Sequence, residues 1–292
     1  MITAKVDDFI RKVSGLNVLV AGETIVDEFI PVSYEGQSMK SICPVFKLEG
    51  KPVRQQGGAT AIANHLRDFV KKVTVITNEK EEIIKTRYVD VNDQKKHVEI
   101  NKFDTTGFGE RKIDTSKYDA VIVADFGHGF CTQFKIGDGF HLMCQTNSNN
   151  FGFNRVSKWK DHKKKSVCLD LREAALQMNK KIRFSDPREV TELFNYEIGA
   201  EDLFLTIGKA GSVYTDGKKV IRQKTFKSQI VDTIGAGDTF FAFASLSSCV
   251  SRKAAEDIML IPALAASLST TWLCNEHSVK IKTLKEHAAQ FI

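Results

Sequence analysis

Long apolar runs are missing from this sequence of 292 residues. The strongest, from Phe240 to Leu246, is far shorter than the roughly 18 residues that a membrane helix needs. The amino-terminal stretch MITAKVDDFIRKV carries charges throughout and has no apolar core of the kind found in signal peptides. The sequence therefore predicts a protein that is neither membrane-spanning nor secreted.

Closely spaced cysteines are also missing. No two of the six cysteines lie within four residues of each other, which excludes a CxxC redox pair and a zinc knuckle. Most of them lie in apolar segments, where a free thiol behaves as a small buried hydrophobe. We therefore expect reduced cysteines and a cytoplasmic protein. The six are Cys43, Cys131, Cys144, Cys168, Cys249 and Cys274.

Charge of one sign is only slightly in excess, with 42 Lys and Arg against 36 Asp and Glu and a net charge of +6. Much of the excess lies in one run from Arg155 to Lys165, which holds six basic residues and Asp161. Such a run predicts a solvated turn or helix face, or a patch that steers phosphorylated ligands towards a cleft. Because no nucleic-acid-binding motif accompanies it, nucleic acid is not an expected partner.

What the sequence does have is a hydrophobic content of 42%, enough for a sizeable core, and an alternation of strand-like and helical patterns. Such alternation predicts an α/β fold around a mainly parallel sheet, whose ligands bind at the carboxyl ends of the strands. The predicted helices run from Ala59 to Val70, from Asp186-Pro187 onwards, and after Asp238 to about Val250. The predicted strands are Asn17–Gly22, Val73–Thr77, Ala120–Ala124, Ser166–Leu169 and Leu203–Thr206.

Two segments, 27–56 and 85–103, break this alternation. They hold short β-prone pieces, such as EFIPV, PVFKL and KTRYVDV, without helical periodicity. The pattern favours a small antiparallel sheet that projects from the main body. Two long surface loops are the alternative.

The sharpest signal is the run VDTIGAGDTF, from Val231 to Phe240, which precedes an apolar helical pattern. Small residues before a helix leave its first backbone N–H groups free, and the helix dipole adds positive charge, so such a start binds anions. Asp238 falls in the first turn, where a carboxylate would repel a bound phosphate unless it had a further purpose. Accepting a proton from an attacking hydroxyl is such a purpose. An N-cap Asp beside a tight glycine turn is the simpler alternative.

With this run, the sequence resembles the ribokinase family, the PfkB-type carbohydrate kinases. The likeness extends from the strand at Asn17 to the helix after Asp238. It implies a three-layer α/β fold with a mainly parallel central sheet, in a single kinase domain over residues 1–292. In that domain, segments 27–56 and 85–103 would form a small projecting β lid.

The resemblance also implies roles for the residues of this run. Asp238 matches the general base that activates the acceptor hydroxyl. The amides of Gly235, Ala236 and Gly237 match those that hold the charge developing on the transferred phosphoryl group.

Two other turns resemble the family's nucleotide and metal sites. LTIGKAG, from Leu205 to Gly211, is similar to the T-x-G-x-x-G turn along the ATP phosphates, which implies nucleotide contacts by Thr206, Gly208 and Gly211. LDLRE stands in the place of the N-x-x-E motif that orients the water shell of Mg²⁺, which implies a metal role for Asp170 and Glu173. Asp in place of Asn keeps an oxygen ligand and adds charge. A solvated helix start is the alternative for this pair of carboxylates.

The acceptor site is implied by three shorter matches. Asp27, after the first strand, resembles the family's sugar-binding aspartate. Gly57 and Gly58 resemble the paired glycines that let the sugar approach the backbone. Asp125 is the second residue of ADFGHG, from Ala124 to Gly129, which is similar to the D-Y-G-K-G of the heptose-phosphate kinases in this family.

Three departures limit how far this likeness extends. Ala61 lies where the family usually has an Asn, with Asn64 three places later; His128 replaces the lysine of D-Y-G-K-G; and the Asn-rich stretch 145–154 replaces a D-P-K segment.

We expect an enzyme with ATP and Mg²⁺ as cofactors that phosphorylates a sugar or a heptose-phosphate-like sugar phosphate. A homodimer through the lid is a plausible assembly. Two alternatives stay open: a kinase for a nucleoside or other small alcohol, and a ligand-binding regulatory module with weak or no catalysis.

Overall fold

Strands and helices alternate along most of the chain. The computed structural model describes residues 2–78, 83–104, 108–182, 186–196, 198–251 and 255–291, which form seven α-helices and fifteen β-strands. The helices are α1 Ile2–Val13, α2 Ala59–Leu66, α3 Leu171–Met178, α4 Pro187–Asn195, α5 Ala236–Val250, α6 Leu260–Ser269 and α7 Ile281–Ala288. The strands are β1 Asn17–Gly22, β2 Thr24–Gln37, β3 Pro44–Leu48, β4 Val53–Gly58, β5 Lys72–Ile76, β6 Ile83–Asp90, β7 Lys96–Phe103, β8 Arg111–Lys112, β9 Ala120–Asp125, β10 Phe134–Lys135, β11 Phe140–Cys144, β12 Lys164–Asp170, β13 Ala200–Thr206, β14 Ser212–Thr215 and β15 Val220–Gln223. Within these ranges, none of the helices has the length and apolar character needed to cross a bilayer.

Eight strands form the central sheet, in the order β15-β14-β13-β12-β11-β9-β1-β5. Neighbours from β13 to β5 are parallel, and β14 and β15 add an antiparallel edge. All five strands predicted from apolar runs lie in this sheet, so the predicted α/β fold with a mainly parallel sheet is confirmed. Strand β11 is not among the predicted strands because His141 interrupts its apolar run. That ring is buried, with Nδ1 at 2.8 Å from Ser166 Oγ.

Two hydrophobic cores cover the two faces of the central sheet. Side chains alternate along each strand, so Val18 and Val20 pack with α1, α2, α5, α6 and α7, whereas Leu19 and Ala21 pack with α3 and α4 on the other face. The result is a three-layer arrangement of helices, sheet and helices.

A second sheet of five strands is built from the two segments that break the alternation. Strand β2 is central: β3 and β4 pair with it antiparallel along one edge, β6 pairs with it parallel along the other, and β7 pairs antiparallel with β6. We call β2, β3, β4, β6 and β7 the lid sheet. The sequence alternative of two surface loops is therefore wrong. The expectation of a purely antiparallel sheet is also wrong, because β6 is reached through α2 and β5 rather than through a hairpin.

The lid sheet begins directly where the central strand β1 ends. One residue, Glu23, separates β1 from β2, and it is fully buried. Its carboxylate accepts hydrogen bonds at 3.0 Å from the backbone N–H groups of His128 and Phe130, and it lies 3.1 Å from Nδ1 of His128. The chain thus enters the lid sheet through a firmly held joint.

Helix α2 is shorter than its apolar spacing predicts. It ends at Leu66 rather than Val70, and the backbone N–H of Phe69 donates to the Leu66 carbonyl at 2.9 Å in the turn that follows. Phe69 and Val70 are nevertheless buried in the core. The apolar spacing up to Val70 therefore reflects the burial of Phe69 and Val70 and not a helix that continues to Val70.

The basic run from Arg155 to Lys165 is only in part a solvated surface. Lys164 is buried, and its ammonium donates to two backbone carbonyl oxygens at 2.7 and 2.8 Å. Lys158 forms an ion pair with Asp125 at 2.6 Å. The interpretation of the run as a solvated face is wrong for Lys164, which is buried, whereas Lys158 is exposed and pairs with a buried carboxylate.

Candidate active site

Helix α5 begins at a turn that leaves its first amides free. Gly235 precedes the helix with a φ of 82°, a left-handed conformation that glycine adopts without strain. Asp232 shapes the turn, since its Oδ1 accepts hydrogen bonds from the next two backbone N–H groups at 2.8 and 3.2 Å. Amides in the first turn of a helix have no carbonyl partner within the helix. The amides of Gly235, Ala236 and Gly237 therefore lie at a helix start of the kind that favours anions, although that of Ala236 also makes a bond of 3.3 Å to a carbonyl of the turn.

The carboxylate of Asp238 lies in the first turn of α5, in a residue that is 8% exposed. Its Oδ1 atom is buried without a hydrogen-bond partner among the residues that the structure describes. Burial raises the pKa of Asp238 to about 7; the carboxylate of Asp27 adds to the increase and the ammonium of Lys85 opposes it. Asp238 is therefore able to accept a proton near neutral pH.

These groups line a cleft of about 1510 Å³ between the lid sheet and the carboxyl ends of the central strands. Most of the residues predicted for the site are in its wall, but Gly57 and Asp125 are not. The predicted residues that line it are Asp27, Gly58, Asp170, Glu173, Thr206, Gly208, Gly211, Gly235, Ala236, Gly237 and Asp238.

The paired glycines make room where β4 passes into α2. A Cβ on Gly57 would lie 2.6 Å from Oδ2 of Asp27, and a Cβ on Gly58 would lie 2.2 Å from the carbonyl oxygen of Glu23. Gly58 also has a φ of 62°. Gly57 thus gives space to the Asp27 carboxylate behind the cleft wall, while Gly58 lies in the wall itself.

Asp27 belongs to a network of charges on the inner face of the lid sheet. It is 5% exposed and forms an ion pair with Arg87 of β6, whose Nε donates to Glu99 of β7 at 2.9 Å. Lys85 lies two residues before Arg87 on the same face of β6, and burial lowers the pKa of its ammonium. Two cationic side chains therefore line the cleft beside Asp27.

Asp125 is fully buried and its carboxylate is already occupied. Oδ2 accepts hydrogen bonds from Trp159 Nε1 at 2.8 Å and pairs with Lys158, while Oδ1 accepts from the backbone N–H of Gly127 at 3.0 Å. These partners leave no oxygen directed into the cleft. The position of Asp125 thus gives no support to the predicted contact with the acceptor.

The turn after β13 forms the opposite end of the cleft. Thr206 ends β13, and a short 3₁₀ turn, Gly208–Ala210, follows. Gly211 has a φ of 98°, and a Cβ there would lie 2.1 Å from the carbonyl oxygen of Gln223. Lys209, Lys224 and Lys227 also line this end, so positive charge surrounds the turn predicted to hold a nucleotide.

Asp170 and Glu173 form a capping box at the start of α3. Asp170 Oδ1 accepts from the Glu173 backbone N–H at 2.7 Å, and Glu173 Oε2 accepts from the Asp170 backbone N–H at 2.8 Å. Burial and the neighbouring carboxylate of Asp170 raise the pKa of Glu173 to about 8. The alternative of a helix start is thus realised, but Glu173 is buried and both residues line the cleft.

This pair fits a hydrated Mg²⁺ ion. Mg²⁺ commonly keeps several waters and binds through one or two carboxylates together with substrate phosphates. A buried carboxylate next to a second one is the environment that a nearby cation stabilises.

Sequence reasoning misses several cleft residues, among them Lys85, Arg87 and Asn275. Lys85 and Arg87 lie in a β-prone piece, where alternation along a strand predicts a shared face but not which face is turned inward. Asn275 has no motif around it. Its backbone N–H donates to Gln55 of β4 at 2.7 Å, and its Nδ2 lies 3.4 Å from Asp27 Oδ2.

The Asn-rich stretch 145–154 closes the carboxyl ends of β9 and β11. The amide of Asn147 donates to the Phe126 carbonyl at 3.0 Å, and that of Asn154 donates to the Asp125 carbonyl at 2.8 Å. Short polar side chains here satisfy strand-end carbonyls that would otherwise be buried without donors. Asn147 also lines the cleft.

Parts of the sequence are similar to known carbohydrate kinases. Residues 165–272 match the model of the pfkB family carbohydrate kinases. Over 46 residues the chain is 41% identical to the ATP-dependent 6-phosphofructokinase of Thermoanaerobacterium thermosaccharolyticum, a match that covers 16% of this chain and 14% of that protein.

Solved structures share the fold over nearly the whole chain. The Methanocaldococcus jannaschii nucleoside kinase, an archaeal member of the ribokinase family, superposes with a TM-score of 0.66 at 15% identity over 95% of this chain and 100% of that one. The Arabidopsis thaliana ribokinase complexed with ribose and ATP superposes with a TM-score of 0.63 at 14% identity over 94% and 99%. The fold of this chain is therefore ribokinase-like. The match of residues 165–272 to the pfkB family carbohydrate kinases agrees with the family predicted from the motif.

Proposed function

We propose that the protein is an ATP-dependent kinase that transfers the γ-phosphate of ATP to a hydroxyl of a sugar or sugar phosphate. The observation that carries this proposal is the position of Asp238. It is a buried carboxylate with a pKa near 7, in the first turn of a helix whose opening residues line the same cleft. A base whose pKa lies close to the operating pH is well matched to proton transfer.

The chemistry follows from this placement. ATP lies along the turn from Thr206 to Gly211, and the acceptor lies beside Asp27. As the acceptor hydroxyl attacks the γ-phosphorus, its proton passes to Asp238 and the bond to the bridging oxygen of ADP breaks. The amides at the start of α5 hold the charge on the transferred group, so positioning and electrostatics do most of the work.

The cofactor proposal includes Mg²⁺ at Asp170 and Glu173. When bound, the ion neutralises charge on the nucleotide phosphates. Asp170 and Glu173 hold each other through the capping box, so the two carboxylates keep a fixed spacing at the cleft wall.

An anionic acceptor agrees with the charges on the lid sheet. Lys85 and Arg87 place two cationic side chains in the cleft beside Asp27. A phosphate on the acceptor is the group that such a pair recognises. We therefore propose a sugar phosphate, with a heptose-phosphate-like compound as the first acceptor to test.

A nucleoside or other small alcohol is the second candidate acceptor. The fold likeness to a nucleoside kinase favours it. A regulatory module without catalysis is the third candidate, and the unpartnered Oδ1 of Asp238 argues against it, because a pure binder has no use for a base at that position.

The activity test is a panel of sugars, sugar phosphates and nucleosides with ATP and Mg²⁺, followed by ADP release. For the best acceptor, Asp238→Asn should lower kcat about 10²–10⁴-fold, the usual size of a general-base contribution. In the wild type, kcat/KM should fall as the pH drops below about 7, where Asp238 becomes protonated.

Asp161→Asn, which alters an exposed carboxylate, is the matched control and should leave kcat unchanged. Nucleotide affinity should be the same in all three proteins. Equal turnover in the Asp238 variant and the wild type would show that Asp238 is not the base. Tight binding of an acceptor without turnover by the wild type would favour the regulatory module.

At the level of the whole chain, we propose a single cytoplasmic kinase domain over residues 1–292 that assembles as a homodimer through the lid. Two features support the dimer. The outer strands β3 and β7 each pair along one edge only within the described part of the lid sheet, and unpaired edges favour strand addition. Large apolar side chains are also exposed on the strands of the lid sheet: Tyr34 at 50%, Leu48 at 65%, Val53 at 54% and Ile100 at 53%.

A further inference from the structure

A buried histidine lies behind the turn that opens α5. His65 of α2 is 2% exposed, and no sequence motif points to it. Its Nδ1 lies 3.0 Å from the backbone N of Val279, and its Nε2 lies 3.0 Å from Oγ1 of Thr239, the residue after Asp238. The ring thus links three segments that are distant in sequence.

The contacts fix which ring nitrogen carries the proton. A backbone N–H is always a donor, so Nδ1 of His65 must accept from Val279. Burial, with the positive charge of Lys280 as a second cause, lowers the pKa of His65 to about 4, so the ring is neutral at physiological pH. The single ring proton is therefore on Nε2, which donates to Thr239 Oγ1.

The remaining hydrogen bond has one possible direction as well. Thr239 Oγ1 accepts from His65, so its own proton is free to go to the carbonyl oxygen of Gly235 at 3.0 Å. The same carbonyl accepts the backbone N–H of Thr239 at 2.9 Å. A directed chain thus runs from Val279 through His65 and Thr239 to the carbonyl of Gly235.

This carbonyl belongs to the peptide that carries the amide of Ala236. In a planar trans peptide, the C=O and the N–H point in opposite directions. A Gly235 carbonyl held towards the helix interior therefore turns the Ala236 N–H towards the amino-terminal end of the helix, where it also makes a bond of 3.3 Å to the Thr233 carbonyl. That end faces the cleft, next to Asp238.

We propose that His65 is a positioning residue: through Thr239 it holds the Gly235 carbonyl, and thereby aims the amides that stabilise the transferred phosphoryl group. The proposal rests on the proposed kinase function. It predicts that His65 affects the rate of the chemical step more than the binding of either substrate, because charge on the transferred group develops only in the transition state.

Two variants of His65 separate its two hydrogen bonds. The side-chain amide of Asn reaches the position of Nδ1, so His65→Asn keeps the acceptor for Val279 and loses the donor to Thr239. The longer Gln reaches the position of Nε2, so His65→Gln keeps the donor and loses the acceptor. His65→Asn should lower kcat about 10–100-fold with both KM values within about 2-fold of the wild type, whereas His65→Gln should keep most of kcat and lower the melting temperature.

Thr239→Val is the matched variant at the next step of the chain. It removes the hydroxyl with little change in shape and leaves the contact between His65 and Val279 in place. It should lower kcat by the same factor as His65→Asn, and the double variant should be no slower than either single one, because both break one chain. Equal kcat in His65→Asn and His65→Gln, or an unchanged kcat in Thr239→Val, would overturn the proposal.

The proton position has its own measurement. Two-bond ¹H–¹⁵N correlation spectra of the wild type should show His65 with the proton on Nε2 at pH 7. A proton on Nδ1 would refute the chain whatever the kinetics. If the wild type phosphorylates no acceptor, the proposed function fails, and the spectra still decide the direction of the hydrogen bonds.

Discussion

At the scale of single residues, two carboxylates of the candidate site lie in environments that disfavour their ionised form. Asp238 is buried near another carboxylate, and its pKa rises to about 7. Glu173 lies next to Asp170, and its pKa rises to about 8. Both carboxylates are poorly solvated in the free protein, which is a state that phosphate-bound cations and hydroxyl donors relieve.

The raised pKa of Asp238 should make the free energy of unfolding depend on pH. The pKa of Asp238 is higher in the folded chain than in the unfolded chain, so the folded state favours the protonated acid. The stability that this provides is fully present below about pH 4 and is lost as the pH rises through 7. Asp238→Asn removes the ionisation. At pH 8 the free energy of unfolding of this variant should therefore be about 2–4 kcal/mol higher than that of the wild type.

Thermal unfolding of the two proteins at pH 5 and pH 8 tests this prediction. The gap in melting temperature should be several degrees at pH 8 and should shrink towards pH 5. The carboxylate of Asp238 also contributes to raising the pKa of Glu173, so the change in Glu173 adds to the gap with the same sign. A gap that is independent of pH would show that Asp238 is not the group responsible.

Residues with a motif were predictable, and residues that act only through packing were not. The run from Val231 to Phe240 singles out Asp238, because glycines placed before a helix and next to a carboxylate are typical of an anion site with a base. Asp125 also follows a strand, but the partners that occupy it, Trp159 and Lys158, lie about thirty residues away in sequence. His65 looks like any residue of an apolar helix until its neighbours are known.

At the scale of elements, the lid sheet is attached to the start of α5 by side chains rather than by backbone. Lys96 at the start of β7 donates to both carboxylate oxygens of Asp232, at 3.0 and 3.1 Å. Asp232 in turn caps the amides of the turn before α5. The alternation of apolar residues gives the strands, but such a tie joins residues 136 positions apart and is beyond any local pattern.

Removing this tie should weaken acceptor binding. The side chain of Asp232 is 9% exposed and that of Lys96 is 29% exposed, so the ion pair is only partly screened by solvent. Lys96→Met should raise the KM for the acceptor about 2–5-fold, the size of a partly exposed ion pair, and should make that KM less sensitive to salt.

Lys95→Met is the neighbouring control. Its ammonium is 72% exposed and pairs with Asp93 in the turn before β7. Steady-state kinetics of the two variants at low and high ionic strength should differ. If both change the KM equally, the tie between Lys96 and Asp232 has no special part in holding the acceptor site.

At the scale of the whole molecule, the order of strand and helix signals was enough to predict the central sheet and the location of the cleft. Parallel strands end at one edge, so the turns after β1, β12 and β13 had to meet there. The helices α1, α6 and α7 carry no comparable signal of function in the sequence and cover one face of the sheet, although α6 also lines the cleft with Ala263, Ala266 and Ser267. The pairing of β2 with β6 could not be predicted, because register within a sheet depends on contacts between distant segments.

The proposed homodimer is testable at this scale. Ile100→Glu places a charge in the exposed apolar surface of the lid sheet and should convert a dimer into a monomer in size-exclusion chromatography with light scattering. Phe153→Glu is the control, since Phe153 is 89% exposed and lies outside the lid sheet. A monomeric wild type, or a dimer that survives Ile100→Glu, would argue against assembly through this surface.

The single residue between β1 and β2 has a mechanical consequence. A lid joined by a flexible loop can pivot at that loop, but the junction between β1 and β2 is held by hydrogen bonds. Glu23 accepts from two backbone N–H groups and lies against an imidazole, and Thr24 is hydrogen-bonded to Asn78. A change in the angle between the two sheets would therefore have to be spread along the fourteen residues of β2 rather than taken up at its base. Access of a ligand to the cleft would then depend on the stiffness of β2 rather than on the flexibility of a loop.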